Sequence, residues 1–295
     1  MSGIPVASPV YTLGDWQGNV VDEYGCVWVV ETEEGWSGGP PVAAVVEDRE
    51  AGDGAWTAPG SFKARVITLS GQCLAPSQTA MVAAKDRFAA AGDPYDLQDL
   101  VVEELHLTRK AAVRLTDRPD PTDKGSRAFT WTMTLTAGDP RRYAVEPTIV
   151  TTGLPASTAG RTFPRTYPRS YPQVSGSPGR VTVVQEGTYQ MCPAVITIRG
   201  PVIAPEVVHV QSGRRLGFGL TIGWDEELII DLGAGTALLN GSTSRVGDMA
   251  PGAAWFLLAP GINSLRFRGR PGTVPAGMEP PPLASMEVVA YSAWV

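Results

Sequence analysis

A mainly β protein of two domains with a single helix is what this sequence predicts, and three observations carry the prediction. Its 295 residues are more than one average domain needs. Glycine (33) and proline (26) are abundant while only 18% of residues are charged and 43% are hydrophobic, the balance of a turn-rich β protein that still buries a core. Near the middle, Arg161-Thr-Phe163-Pro, Arg165-Thr-Tyr167-Pro and Arg169-Ser-Tyr171-Pro write one tetrad three times. Proline fixes φ and lacks an N–H, so a proline at every fourth position suits neither a helix nor a sheet interior. The expected organisation is an N-terminal domain over 1–146, a stiff connector over 147–179 and a C-terminal domain over 180–295.

In the N-terminal part, Cys26–Thr32 is β-branched and aromatic and reads as a strand. Ser61–Leu69 alternates, with Phe62, Ala64, Val66 and Thr68 on the face taken as apolar. Pro76 and Ser77 then open the one helix, over about 77–91; Met81, Ala84 and Phe88 share a face and Gly92 supplies the stop. Strands follow at Asp99–Leu105, Lys110–Leu115 and Arg127–Leu135, where Phe129, Trp131, Met133 and Leu135 alternate with threonines.

After the connector the pattern is purely β. Short apolar runs at Arg180–Val184, Ala194–Arg199, Val207–Gln211, Leu216–Ile222, Glu227–Leu232, Thr236–Leu239, Trp255–Leu258, Ser264–Arg268 and Met286–Trp294 are separated by glycine, proline and asparagine turns. Short strands at that spacing predict a β-sandwich.

Charge and cysteine usage exclude several classes. The net charge is −6, with 13 basic and 21 acidic residues in 1–146 against 11 and 9 in 147–295, which argues against a generic nucleic-acid binder and supports two domains of different character. Cys26, Cys73 and Cys192 are too far apart for a zinc knuckle or a disulfide framework and read as buried thiols. The N-terminal residues lack the basic and apolar regions of a signal peptide, and no apolar run reaches membrane-spanning length, so the expectation is a soluble protein made in the cytoplasm.

No catalytic constellation emerges. Gly35-Trp-Ser37-Gly-Gly39 matches the nucleophile-elbow string, but Pro40-Pro41 follows where a helix should start. The bland reading is a glycine-rich turn with an exposed tryptophan. Asp117, Asp120 and Asp123 lack the glycine and distal glutamate of a calcium loop. Asp225-Glu226-Glu227 lacks an identifiable partner carboxylate and reads as a hairpin cap. His106 and His209 stand alone. No catalytic, cofactor or metal residues are assigned.

The distinctive strings are architectural: Gly35–Pro41, Asp53-Gly-Ala-Trp56 and Arg65–Gly71 in the first half; Pro193–Pro201, Ile230-Asp-Leu232, Leu239-Asn-Gly241, Trp255–Asn263 and Tyr291–Trp294 in the second. In that order, with an aromatic-proline connector between them, they resemble the distal tail (Dit-like) proteins of siphovirus-type bacteriophages. The resemblance implies a structural protein of the virion: an N-terminal β-sandwich or barrel-like domain that closes into a ring, usually a hexamer, at the tail tip, and a C-terminal galectin-like or carbohydrate-module-like β-sandwich. The implied partners are further copies of itself, the tail tube protein, the tail-tip hub and receptor-binding proteins, with no cofactor, no nucleic-acid specificity and no membrane segment.

Residues expected at subunit or partner interfaces are Trp36, Pro40, Pro41 and Trp56, on the turn and hairpin taken to face a neighbour, and Arg161, Phe163, Arg165, Tyr167, Arg169 and Tyr171 of the connector. Two alternatives stay open: a sugar-binding module with Trp224 as platform beside Asp225, or another minor tail or baseplate protein.

Overall fold

The computed structural model describes residues 9–155, 179–277 and 283–295. The chain divides into two compact units: residues 1–145 with the returning pair Trp294–Val295, and residues 146–293.

Unit 1 holds β1 (Val10–Leu13), β2 (Trp16–Gly18), β3 (Val27–Glu34), β4 (Val42–Asp48), β5 (Ala55–Phe62), β6 (Arg65–Leu74), α1 (Gln78–Ala89), β7 (Gln98–Glu104), β8 (Leu107–Leu115), β9 (Thr122–Asp123), β10 (Ala128–Ala137) and β11 (Arg142–Ala144). The main sheet runs β2-β1-β7-β8-β10-β6-β3. β10 and β6 pair over ten residues in unbroken antiparallel register, Ala128 opposite Leu74 through Ala137 opposite Arg65. The alternation of β10 places Phe129, Trp131, Met133 and Leu135 inside. The helix covers them: Ser77 caps it by accepting from Ala80 N, and Met81, Ala84 and Phe88 face inward. Trp16, Trp28, Phe88, Phe129 and Trp131 meet edge-to-face or tilted, as at 5.2 Å for Trp16–Trp131 and 5.7 Å for Trp28–Phe129. Such pairs add about 0.5–1.5 kcal/mol each beyond area burial.

β6 corrects the phase read for 61–69. Its buried face is Arg65, Ile67, Leu69 and Cys73, while Val66 points out. Phe62 belongs to a different strand, so the alternation running through Phe62, Ala64 and Val66 crosses an element boundary.

β4 and β5 form a separate two-stranded sheet, an arm that among the described residues pairs only with itself. A β-bulge lies between Ala43 and Val45; beyond it Val45 faces Ala58 and Glu47 faces Trp56. Nearly every residue of both strands is exposed.

Unit 2 is a two-sheet sandwich of β12 (Thr148–Gly153), β13 (Arg180–Gln185), β14 (Ala194–Arg199), β15 (Val202–His209), β16 (Arg215–Gly217), β17 (Thr221–Ile222), β18 (Glu227–Asp231), β19 (Thr236–Leu239), β20 (Thr243–Ser244), β21 (Gly261–Pro271) and β22 (Ser285–Ala290). One sheet runs β12-β22-β14-β18-β19-β20; the other runs β13-β21-β15-β16, with β17 also on β15. Ile196, Ile198, Leu228, Ile230, Met286 and Val288 of the first and Val183, Val207, Leu265 and Phe267 of the second are buried.

Several sequence boundaries move. Thr148–Gly153, read as connector, is an edge strand in full register with β22. The run 216–222 breaks where Gly219 N donates to Asp248 O at 2.7 Å. The run 286–294 breaks at Ser292, whose hydroxyl accepts from Glu186 N. Trp255–Leu258 makes no strand, only an isolated bridge from Leu258 to Cys192.

Candidate assembly interface

The arm of unit 1 and the turn at its base are built around two buried arginines. β3 ends at Glu34, and Gly35 turns the chain with φ +88; a Cβ there would lie 1.9 Å from Val66 O. Arg65, fully buried on β6, donates from Nε to Pro140 O at 2.9 Å and from Nη1 to the carbonyls of Gly35, Trp36 and Gly38. Glu33 completes the turn: Oε1 accepts from Trp36 N at 2.6 Å and Ser37 N at 3.1 Å, and Oε2 from the Ser37 hydroxyl at 2.6 Å. Burial, followed by the nearby Arg109, lowers the Arg65 guanidinium against a raising pull from Glu33. Arg142 stands 5.7 Å from the Trp36 ring and donates to Val295 O; burial and the cations Arg109 and Arg65 push it down to about 10.

This geometry corrects two expectations. Trp36 is 1% exposed and belongs to the core, so its side chain is not available to a neighbour. The glycine-rich string looks like an exposed turn, but Arg65 gathers its carbonyls and draws the indole inward. Pro40 is buried too, while Pro41 remains exposed. The Ser37 hydroxyl is engaged within the turn, donating to the Glu33 carboxylate.

Trp56 is the opposite case. It lies on β5, 66% exposed, with the Arg49 guanidinium 4.8 Å from its ring centroid. The period of two puts Val45, Glu47, Trp56 and Ala58 on one face of the arm. Val42, Val46 and Phe62 are also exposed, a set of apolar groups that sequence reasoning did not assign to an interface. The signal was present in Val42–Val46, an apolar run that lacks the polar alternation of a half-buried strand. Arg161, Phe163, Arg165, Tyr167, Arg169 and Tyr171 lie outside the described residues.

Other candidate sites resolve into structure. A cavity of about 820 Å³ in unit 1 is lined by Trp16, Asp22, Tyr24, Trp28, Arg87 and Gln98 among others. Its central carboxylate is fully engaged: Asp22 accepts from Cys26 N, Tyr24 N, Trp28 Nε1 and Arg87 Nη2. Burial pushes Asp22 up, but those hydrogen bonds outweigh it and hold the carboxyl below the usual range. Cys26, Cys73 and Cys192 are buried thiols, and burial pushes Cys73 up to about 12. Asp123 pairs with Lys85, and among the described residues no three His, Cys, Asp or Glu side chains converge as metal ligands. Glu226 accepts from Gly223 N at 2.7 Å and so caps the turn before β18. Trp224, on that turn with Asp225, is 40% exposed, and among the described residues of unit 2 no other aromatic ring is as open to solvent. His209 is buried, stacked on Phe256 at 5.2 Å and bonded to Ser212 and Asn263.

The comparisons with known proteins fall on the same two-unit architecture. Residues 186–275 match the family model of the siphovirus-type tail component, C-terminal domain. Over its whole length the fold is that of the Dit (gp 19.1) protein of phage SPP1, described as a paradigm of the hub adsorption apparatus in phages infecting Gram-positive hosts. The TM-score is 0.65 at 10% identity, covering 98% of this chain and 100% of that one. The phage P2 baseplate in its activated conformation with Ca is similar at TM-score 0.48 and 10% identity, covering 96% of this chain and 98% of that one. No curated protein matches this sequence.

Proposed function

We propose that this chain is a structural component of a siphovirus-type tail tip, in which copies of unit 1 close into a ring, with six the expected number, that joins the tail tube to the hub and its receptor-binding proteins. The observation that carries the reading is the β4–β5 arm. An isolated two-stranded hairpin is marginal in water, and this one spreads Val42, Val45, Val46, Trp56 and Phe62 over its surface. An arm of that kind gains its stability from a second surface. A second copy is the natural one: an arm on one subunit meeting a different patch on the next is a heterologous contact, and repeating it generates a ring. The fold shared with SPP1 Dit and the tail-component domain over 186–275 support the same role. The role needs no bond-making chemistry from the chain itself.

The test is the mass of the purified protein in solution, with electron micrographs of the same sample, for the natural chain and for Trp56→Ser. Closed rings are expected for the natural chain and monomers for the variant. The variant's monomer should melt within about 0.5 kcal/mol of the natural stability, as exposed substitutions do. Rings that persist unchanged without the Trp56 indole would remove the arm from the interface.

A further inference from the structure

The exposed face of the β13-β21-β15-β16 sheet carries a concentration of like charge that the assembly reading does not use. On β21, Arg266, Arg268 and Arg270 alternate with buried or half-buried neighbours and all point outward. Arg180 on β13 stands directly opposite Arg266. Val208 on β15 pairs with both Arg266 and Arg215, so Arg215 of β16 joins the same face. Glu206, opposite Arg268, is the one carboxylate among them, and it reaches Arg215 only at 3.7 Å and Arg268 only at 3.8 Å. The side chains of Arg266 and Arg270 make no ion pair or hydrogen bond among the described residues; that of Arg180 donates to Ser264 Oγ at 3.1 Å. Five cations thus share one counter-charge, in a chain whose net charge is −6.

Like charges directly opposite one another across strands are destabilising. The Arg180–Arg266 pair is therefore a local cost that an anion between them would remove. A cavity of about 310 Å³ opens there, lined by Pro155, Gly179, Arg180, Arg266, Phe267 and Arg268. Arg180, Arg266 and Arg268 line a space large enough for a tetrahedral oxyanion together with Pro155, Gly179 and Phe267, whose side chain is buried beneath it. From this centre the face continues as a line, because residues two apart on a strand are about 6.8 Å apart. Arg270 extends the line along β21 and Arg215 extends it across the sheet. Every cation is arginine, whose planar fork donates two parallel hydrogen bonds to a phosphate or carboxylate, and all four lysines of the chain lie before residue 125.

We propose that this face binds phosphate, seated between Arg180, Arg266 and Arg268, and that Arg215 and Arg270 engage further phosphates when the group is carried on a phosphodiester chain. The site lies within unit 2 and is independent of the ring contact assigned to the arm.

The full-length protein is titrated calorimetrically with a synthetic glycerol-phosphate oligomer, a phosphodiester chain without bases, with inorganic phosphate, and with a polyglutamate of the same charge. The oligomer should bind more tightly than polyglutamate. Arg266→Ala should weaken it at least about tenfold and reduce the slope of log K against log salt by about one, as loss of one phosphate contact does. Arg245→Ala, which removes a cation paired with Asp248 elsewhere, should change nothing. Inorganic phosphate competing for the cavity as well as the oligomer supports a single free-phosphate site. Oligomer binding that inorganic phosphate barely displaces supports a polymer-borne ligand. Equal affinity for polyglutamate, or binding indifferent to Arg266, overturns the proposal. Should Arg266→Ala melt early, Arg270→Ser at the edge of the face carries the same test through its salt slope.

Discussion

Trp36 and Trp56 are twenty positions apart, both beside small residues and glycines, and they have opposite fates. The indole of Trp36 is enclosed by the core under the Arg65-held turn, 1% exposed, whereas that of Trp56 stands in solvent at 66%. Truncating a fully buried large aromatic removes its burial energy and leaves a cavity, typically a loss of about 3–5 kcal/mol. Trp36→Ala should therefore lower the unfolding free energy of unit 1 by that order in denaturant titration, and a loss under 1 kcal/mol would mean the site collapses around the gap. The sequence around Trp36 hides this. Gly-Trp-Ser-Gly-Gly has the composition of a surface turn, and the groups that bury it, Arg65 and Glu33, are brought in by strands on either side. A buried arginine that donates to four carbonyls has no local sequence signature.

At the scale of the elements, β6 shows what pairing demands. It lies between β10 and β3, and at its middle Gly71 faces Val30 where β3 carries a bulge between Val30 and Thr32. A Cβ on Gly71 would lie 1.9 Å from Val29 O, so the two backbones are too close for any side chain. Gly71→Ala should then force β3 off β6, seen as fast amide exchange along Val27–Glu34 while β10 stays protected. Uniform protection across both pairs would show that the bulge absorbs the methyl. β10 and α1 were legible because each has one buried face, so the period of two or 3.6 reports directly on burial. The phase of β6 was not, because alternation continues from the end of the arm into the strand. The arm itself was not, because exposure on both faces erases the contrast that periodicity depends on. The outer face of β21 was readable as Arg266-Phe-Arg268-Gly-Arg270, but its convergence with Arg180 and Arg215 needed the sheet order, which no local pattern contains.

For the whole molecule, the two units should respond differently to pH. Unit 2 contains His209 in its core; the other histidine, His106, is exposed in unit 1. Burial lowers His209 below its ordinary value of 6.5 against the opposing hydrogen bond to Asn263 Oδ1. The unfolded chain therefore takes up the proton first as the pH falls. The contribution of the neutral ring is complete above 6.5 and is lost as the pH drops through the depressed folded value. In scanning calorimetry the transition assigned to unit 2 should move down between pH 7.5 and 5 while that of unit 1 holds, and His209→Gln should flatten the difference. Equal movement of both transitions would place the sensitivity elsewhere. Asp22 and Asp139 in unit 1, both held below the usual carboxylate range, act only at more acidic pH.

The attachment of the arm has a mechanical side. β4 begins four residues after Gly38, whose carbonyl is held by Arg65, and β5 ends three residues before Arg65 itself, which opens the longest ladder of unit 1. Both roots of the arm thus meet at Arg65, one through its guanidinium and the other through the backbone. A pull on the arm is passed to β6, and where it acts along that strand it loads the ten-residue ladder with β10 in shear, with many hydrogen bonds sharing the force at once. A molecule held by its arm would then stretch as a stiff body, its sheets sharing the tension rather than peeling apart one bond at a time.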